Sequence, residues 1–368
     1  MINLLDLMGG HFHDKIVELV KAGKKFYTVN DNLNCKTTVK NMRVDHRNKQ
    51  HNWFASIVAF ERIDFSHLDN VRPLGDIQNF SKESYLLTSE EVKKLQSVFK
   101  VLVGRIFLEF FKQPQFAAVK KLLINDVLMN QNSTREIGTL KYFRERIMRY
   151  NVPTTVKNNP DAYEEFFVSV GRAYLVEAFL EFFGMENTES EPTKNLPERN
   201  ASLEAKREHF DKVLGKFVDY HVFHLGVTVD DKVQNYGLSL IELFIVLMQL
   251  NDTIHEGDGD RNVINWKYLL WVIKTNNKLS KYAIEEMYLL TSVKCMLTHQ
   301  VSERVIWGRG TNKKGKIGVN LPNDLEMEHT IKSTRNLITS MGANKTEKAV
   351  LRSSMAVTGV SESRMPMM

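Results

Sequence analysis

Cysteine is almost missing. Cys35 and Cys295 are the two in a chain of 368 residues, too few for a disulfide framework and not spaced as a CxxC pair for zinc or thiol redox chemistry. The expectation is a reducing compartment, nucleus or cytoplasm, with no secretion. Long apolar runs are scarce as well: residues 238–250 are interrupted by Glu242 and Gln249 and fall short of the roughly 18 residues a membrane span needs. The first ten residues carry Asp6 and no basic stretch, unlike a signal peptide. A soluble chain with no membrane partner is expected. With 19 Gly and 8 Pro, collagen-like and low-complexity classes are excluded. What is there, 43% hydrophobic and 26% charged residues, is ordinary globular composition for one large or two modest cores.

The net charge of +6 is unevenly placed. From Ser302 onward there are 11 Lys+Arg against 6 Asp+Glu, and before it 39 against 38. The excess is a local basic loop and tail, a pattern that meets acidic partners such as DNA or RNA.

Strand signals gather at the N-terminus, after a short amphipathic helix over residues 14–22. Residues 25–29 (KFYTV) are aromatic and β-branched and run into the turn signal Asn30-Asp31-Asn32, followed by strand candidates at 37–44 and 52–63. Together they predict a three-stranded antiparallel meander. From Ser89 the apolar spacing becomes helical. Ser89 is the expected cap of a helix that Pro114 ends, followed by helices near 116–129 and from 133 to about 150. Pro160 and Gly184 bracket another. A polar connector at 186–200 precedes helices near 202–221, 236–252, 261–276 and 280–299. Residues 308–324 read as a loop and those after 344 as disordered. The fold class is α+β, predominantly helical. The domains are an N-terminal α+β region (1–113), a helical body (114–340) and a tail (341–368).

Several constellations bear on chemistry. Asp31 stands where RNase H-like nucleases place a first Mg²⁺ ligand at the end of a strand, since a two-metal site needs shared carboxylate oxygens. An Asx turn is the competing reading. Asp258 and Asp260 in Gly257-Asp-Gly-Asp-Arg261 suit either a cation or a helix cap, but the EF-hand pattern fails at Val263 and Leu269. Residues 310–316 (GTNKKGK) match the opening of a phosphate-binding loop, yet Ile317 replaces its hydroxyl. A basic loop touching phosphates through Arg304, Arg309, Lys313, Lys314 and Lys316 is the alternative to a solvated loop, with Lys332 and Arg335 beyond it. The pairs His11/His13 and His221/His224 have no third ligand nearby, and Glu328-His329 is an acid/base candidate.

The runs Asp31-Asn32-Leu33-Asn34 and Met42-Arg43-Val44-Asp45-His46, then Gly138-Thr139-Leu140, Val170-Gly171-Arg172-Ala173-Tyr174, Gly257-Asp258-Gly259-Asp260-Arg261, Trp266-Lys267, Trp307-Gly308-Arg309-Gly310-Thr311-Asn312 and Asp324-Leu325-Glu326-Met327-Glu328-His329 resemble, in order, an uncharacterised eukaryotic family, domain of unknown function 6589 (DUF6589). The resemblance implies descent from mobile elements and a partial RNase H-like sheet. It also implies a missing piece: similar family members carry a second Gly-Asp strand between residues 119 and 132, where this chain has about a dozen residues. A lone carboxylate does not hold two cations. The expectation is therefore a catalytically degenerate protein that needs no cofactor and binds nucleic acid through its basic C-terminal loop. Two alternatives stand beside it. One is an active Mg²⁺-dependent nuclease or strand-transferase using Asp31 with Asp258, Asp260 or Glu328. The other is a helical interaction protein without catalysis.

Overall fold

A computed structural model describes residues 12–39, 42, 44, 47–116, 160–224, 231–274, 280–312, 316 and 318–341. The chain is predominantly helical and divides into two compact units. Unit 1 comprises Met1–Lys82, Thr253–Val263 and Ile273–Met368; unit 2 comprises Glu83–Asp252 and Ile264–Val272.

Unit 1 begins with helix α1 (Phe12–Lys21) and a hairpin, β1 (Phe26–Thr37) and β2 (Lys49–Phe60). The two strands pair in unbroken antiparallel register from Phe26 opposite Phe60 to Thr37 opposite Lys49. The expected meander is thus corrected to two strands. Asn30-Asp31-Asn32 does not turn because it sits within a period-2 pattern. Tyr27, Val29, Leu33, Cys35 and Thr37 share one face, while Asn30, Asn32 and Asn34 share the other and are exposed. The expected middle strand over 37–44 lacks its start, since Thr37 closes β1. Met42 and Val44 are exposed outside any strand, and Lys40, Asn41 and Arg43 lie outside the described residues.

The apolar face of the hairpin packs on helix α9 (Asn323–Met341). Leu33 and Cys35 meet Met327, Ile331 and Ile338, with Val29, Trp53, Ala55 and Ile57 at the margin. Between hairpin and α9 in sequence, unit 1 adds helix α7 (Ser280–Thr291), a π-helical turn (Ser292–Met296) and helix α8 (His299–Trp307). The single helix read over 280–299 is therefore interrupted, and Thr298 caps α8 by accepting from the Val301 amide. The loop read at 308–324 contains a two-residue ladder, β3 (Gly310–Thr311) against β4 (Leu321–Pro322).

Unit 2 is helical. Helix α2 (Ser89–Phe110) is capped by Thr88, one residue before the expected Ser89, because Glu91 three residues on completes a capping box with it. Helix α3 (Pro160–Phe183) starts and stops where Pro160 and Gly184 predict, and Gly184 takes φ +64°. Ser202 caps α4 (Leu203–His221). Helices α5 (Lys232–Glu256) and α6 (Gly259–Lys274) follow. The helices expected near 116–129 and 133–150 lie outside the described residues, as does the tail after 341. The core is rich in phenylalanine: Phe107 lies 4.6–5.1 Å, centroid to centroid, from Phe111, Phe116, Phe179 and Phe183. By length and a mean hydropathy of 1.4, Gln234–Glu256 meets the requirement for a membrane span. Within that stretch Leu240, Ile241, Phe244, Ile245 and Val246 are buried in the helical core.

Candidate nucleic-acid interface

The basic side chains expected to meet phosphate fall into two groups in unit 1. Arg304, on α8, gives its Nε hydrogen to Glu61 at the end of the hairpin. The guanidinium of Arg309 lies near Glu286 of α7 and Asp324 of α9; burial lowers its pKa and both carboxylates oppose that shift. Burial also pushes Glu286 up to about 7 against the pull of Arg309, and its Oε1 is buried without a hydrogen bond. Arg304 thus ties α8 to the end of the hairpin, while Arg309, exposed in part just after α8, stands near carboxylates of α7 and α9. Lys316, Lys332 and Arg335 form the second group and are exposed. Lys313 and Lys314 lie outside the described residues.

The phosphate-loop pattern of residues 310–316 does not open a helix. Its first two residues form β3, and residues 318–320 lead into β4. Among the described residues, no glycine of this stretch leads into a helix N-terminus as a nucleotide-binding loop requires.

The acidic candidates are dispersed over four settings. Asp31 is an exposed mid-strand residue opposite Ala55, not a strand-end ligand, and its Oδ1 accepts from the next amide, Asn32 N, at 2.7 Å. Asp258 caps α6: Oδ1 accepts from Arg261 N at 3.0 Å and Oδ2 from Arg261 Nε at 2.7 Å. Asp260 is exposed in the first turn of α6, and Glu328 and His329 are exposed on α9. Among the described residues, no three His, Cys, Asp or Glu side chains gather as metal ligands would.

His221 is buried, stacks on Phe217 at 4.1 Å and makes a ring hydrogen bond to the Phe217 carbonyl; burial holds its pKa down. His224 adopts φ +54° and places Nε2 at 3.7 Å from Glu242, whose other oxygen accepts from Tyr268 Oη at 2.7 Å. The two histidines thus serve separate contacts. His11 lies outside the described residues, and of His13 only the backbone is described.

Glycines and asparagines explain why several of the sequence motifs meet in unit 1. A Cβ on Gly259 would stand 2.7 Å from the Trp307 ring, and one on Gly257, at φ +71°, would stand 2.6 Å from Asn320 Nδ2 and 2.7 Å from Arg62 Nη2. Arg62 donates to Asn320, and Asn323 donates from its side chain to the Gly308 carbonyl at 2.6 Å and from its backbone to the Arg309 carbonyl at 3.1 Å. The turn Gly257–Arg261, the run Trp307–Asn312 and the start of α9 are therefore parts of one packed junction. Comparison with family models gives a match over residues 83–367 to a family of unknown function, DUF6589. The chain belongs to that family. The matched span begins after the hairpin, so the opening runs at residues 31–34 and 42–46 stand outside it. No curated protein and no solved structure matches the chain.

Two further motif residues of this DUF6589 chain have packing roles in unit 2. A Cβ on Gly171 would lie 2.3 Å from Phe244 Cγ, so α3 and α5 approach closely there. Lys267, with 7% of its side chain exposed, pairs with both Glu91 oxygens at 2.9 and 3.0 Å. Glu91 is thereby both cap and counter-ion. The spacing of the sequence did not signal either contact: Glu91 and Lys267 are 176 residues apart.

Proposed function

We propose that this chain is a nucleic-acid-binding protein of mobile-element descent that holds DNA or RNA inside the cell without cleaving it. The observation that carries the reading is the last three turns of α9. Residues 329–341 contain Lys332, Arg335 and His329 and no Asp or Glu, and Lys332 and Arg335 are exposed. They give a basic stretch of helix that attracts phosphates without reading bases. Arg304 and Arg309 stand beside carboxylates, Glu61 for the first and Glu286 and Asp324 for the second. Cys35 and Cys295 are both free and buried, which suits a reducing compartment.

Catalysis through Mg²⁺ is the weaker alternative, because Asp258 has both oxygens committed to Arg261 and Asp31 sits mid-strand. A filter-binding titration of the full chain against duplex DNA between 50 and 200 mM salt tests the binding reading. Each phosphate contact contributes about 0.9 to the slope of log affinity against log salt. The double variant Lys332→Gln, Arg335→Gln should therefore flatten the slope by roughly 2. A wild-type chain with no salt-sensitive affinity contradicts the proposal.

A second reading, a helical interaction protein, is favoured by α7, where Ile284, Met287 and Tyr288 are 68%, 40% and 68% exposed and share one helical face. Sedimentation velocity of Ile284→Asp, Tyr288→Asp against wild type tests it: this reading predicts that wild type self-associates and the variant does not.

A further inference from the structure

The near-neutral balance before Ser302 conceals a strongly basic hairpin. Residues 36–49 contain Lys36, Lys40, Arg43, Arg47 and Lys49 against the single acid Asp45. The described members of that set, Lys36, Arg47 and Lys49, are exposed at the open end of the strand pair.

The outward face of the same hairpin has an unusual composition. Following the register, it presents Phe26 beside Phe60, Thr28 beside Val58, Asn30 beside Ser56, Asn32 beside Phe54, Asn34 beside Asn52 and Lys36 beside Gln50. Phe54 is 67% exposed in the middle of this face. Around it stand side-chain amides: Asn30, Asn32, Asn34, Gln50 and Asn52 are all exposed. No carboxylate points outward, because the one acid of the strands, Asp31, has the opposite parity. The inward face is spent on α9, so the outward face has no part in holding the hairpin to that helix.

An aromatic ring on an outward strand face is free to stack against a flat partner, and amides carry both donors and acceptors. Aromatic stacking, amide hydrogen bonding and a positive end are the features by which β-surfaces hold unpaired bases: the ring takes a base face, the amides meet base edges and the cations meet phosphate. A duplex offers none of its base faces to such a surface. From Phe26 to Lys36 the face extends about 33 Å, enough for several nucleotides.

We propose that the outward face of the β1–β2 hairpin is a binding platform for single-stranded nucleic acid, with Phe54 as the stacking ring and Lys36 and Arg47 as phosphate contacts. It deepens the nucleic-acid reading and rests on it, but it uses a different surface from the α9 edge. Phe54 truncation should leave the fold intact, because the ring is mostly in solvent.

The test is fluorescence anisotropy of the full chain with a labelled mixed-sequence 20-nucleotide single strand and with its duplex, for wild type, Phe54→Ala and Phe54→Trp. Thermal melting checks that the variants are folded. Stacking of one base is worth about 5- to 150-fold in affinity. Phe54→Ala should lose that factor for the single strand and stay within about twofold for the duplex, and Phe54→Trp should match wild type. Unchanged single-strand affinity in folded Phe54→Ala, while wild type binds, overturns the platform and leaves the α9 reading standing. Equal loss for both nucleic acids overturns the base-stacking assignment. Wild-type self-association that Phe54→Ala abolishes assigns the face to a second copy of the chain and overturns it as well. Absence of binding to either probe removes both proposals together.

Discussion

Single residues carry the balance between structure and function in unit 1. Glu286 is the clearest case: burial raises its pKa to about 7, Arg309 pulls it down, and Asp324 competes for the same guanidinium. An acid whose folded pKa is raised favours the folded state most below its ordinary value of 4.5, and that contribution is lost as pH rises through about 7. Glu286→Gln should remove this pH dependence. Urea unfolding at pH 5 and pH 8 should show wild type losing on the order of 1–2 kcal/mol relative to the variant on going to the higher pH, after allowance for partial solvent access. Parallel curves would contradict the assignment. Asp31 belongs to the same scale. Its neighbours of like residue type, Asn30 and Asn32, made a turn look compelling, yet parity decided its setting. Asp31→Asn should leave Mg²⁺-dependent properties unchanged if the carboxylate holds no metal, with isothermal calorimetry of Mg²⁺ binding as the check.

Elements were legible in proportion to how local their signals are. Helices α3 and α4 follow from Pro160, Gly184 and Ser202, since caps and breakers act within a turn. The phenylalanines of α2 and α3 at spacings of three and four announced a buried face. Phe107→Ala should cost about 3–5 kcal/mol in chemical denaturation, because four rings lose their common partner. Gly171→Ala should destabilise too, since α3 must move off Phe244 to admit a methyl group; an unchanged melting temperature would show that the helices separate freely. The extent of β1 is not legible from sequence because Asn-Asp-Asn is a turn signal on its own, and the outward stripe of Asn30, Asn32 and Asn34 emerges only when the paired strand is known. The π turn at 292–296 had no sequence signal.

At the scale of the whole molecule, what could not be read was long-range pairing. Arg304 and Glu61 are 243 residues apart, and no spacing rule joins them. Two of the five basic residues offered as phosphate contacts, Arg304 and Arg309, stand beside carboxylates far away in sequence, and the basic run at residues 36–49 is hidden in the net charge because the chain's charge averages out around it. Length and composition allowed a complete metal-dependent enzyme, but the four acids singled out for it occupy a strand, a helix cap, a first turn and an exposed helix face. The function proposed for the chain is binding without cleavage. Its most direct test incubates the full chain with a labelled single strand and with duplex DNA in Mg²⁺, measuring affinity from 50 to 200 mM salt and strand integrity on a denaturing gel. The account predicts affinity that falls steeply with salt and strands that stay intact. Salt-insensitive binding, no binding, or Mg²⁺-dependent cleavage products would contradict it.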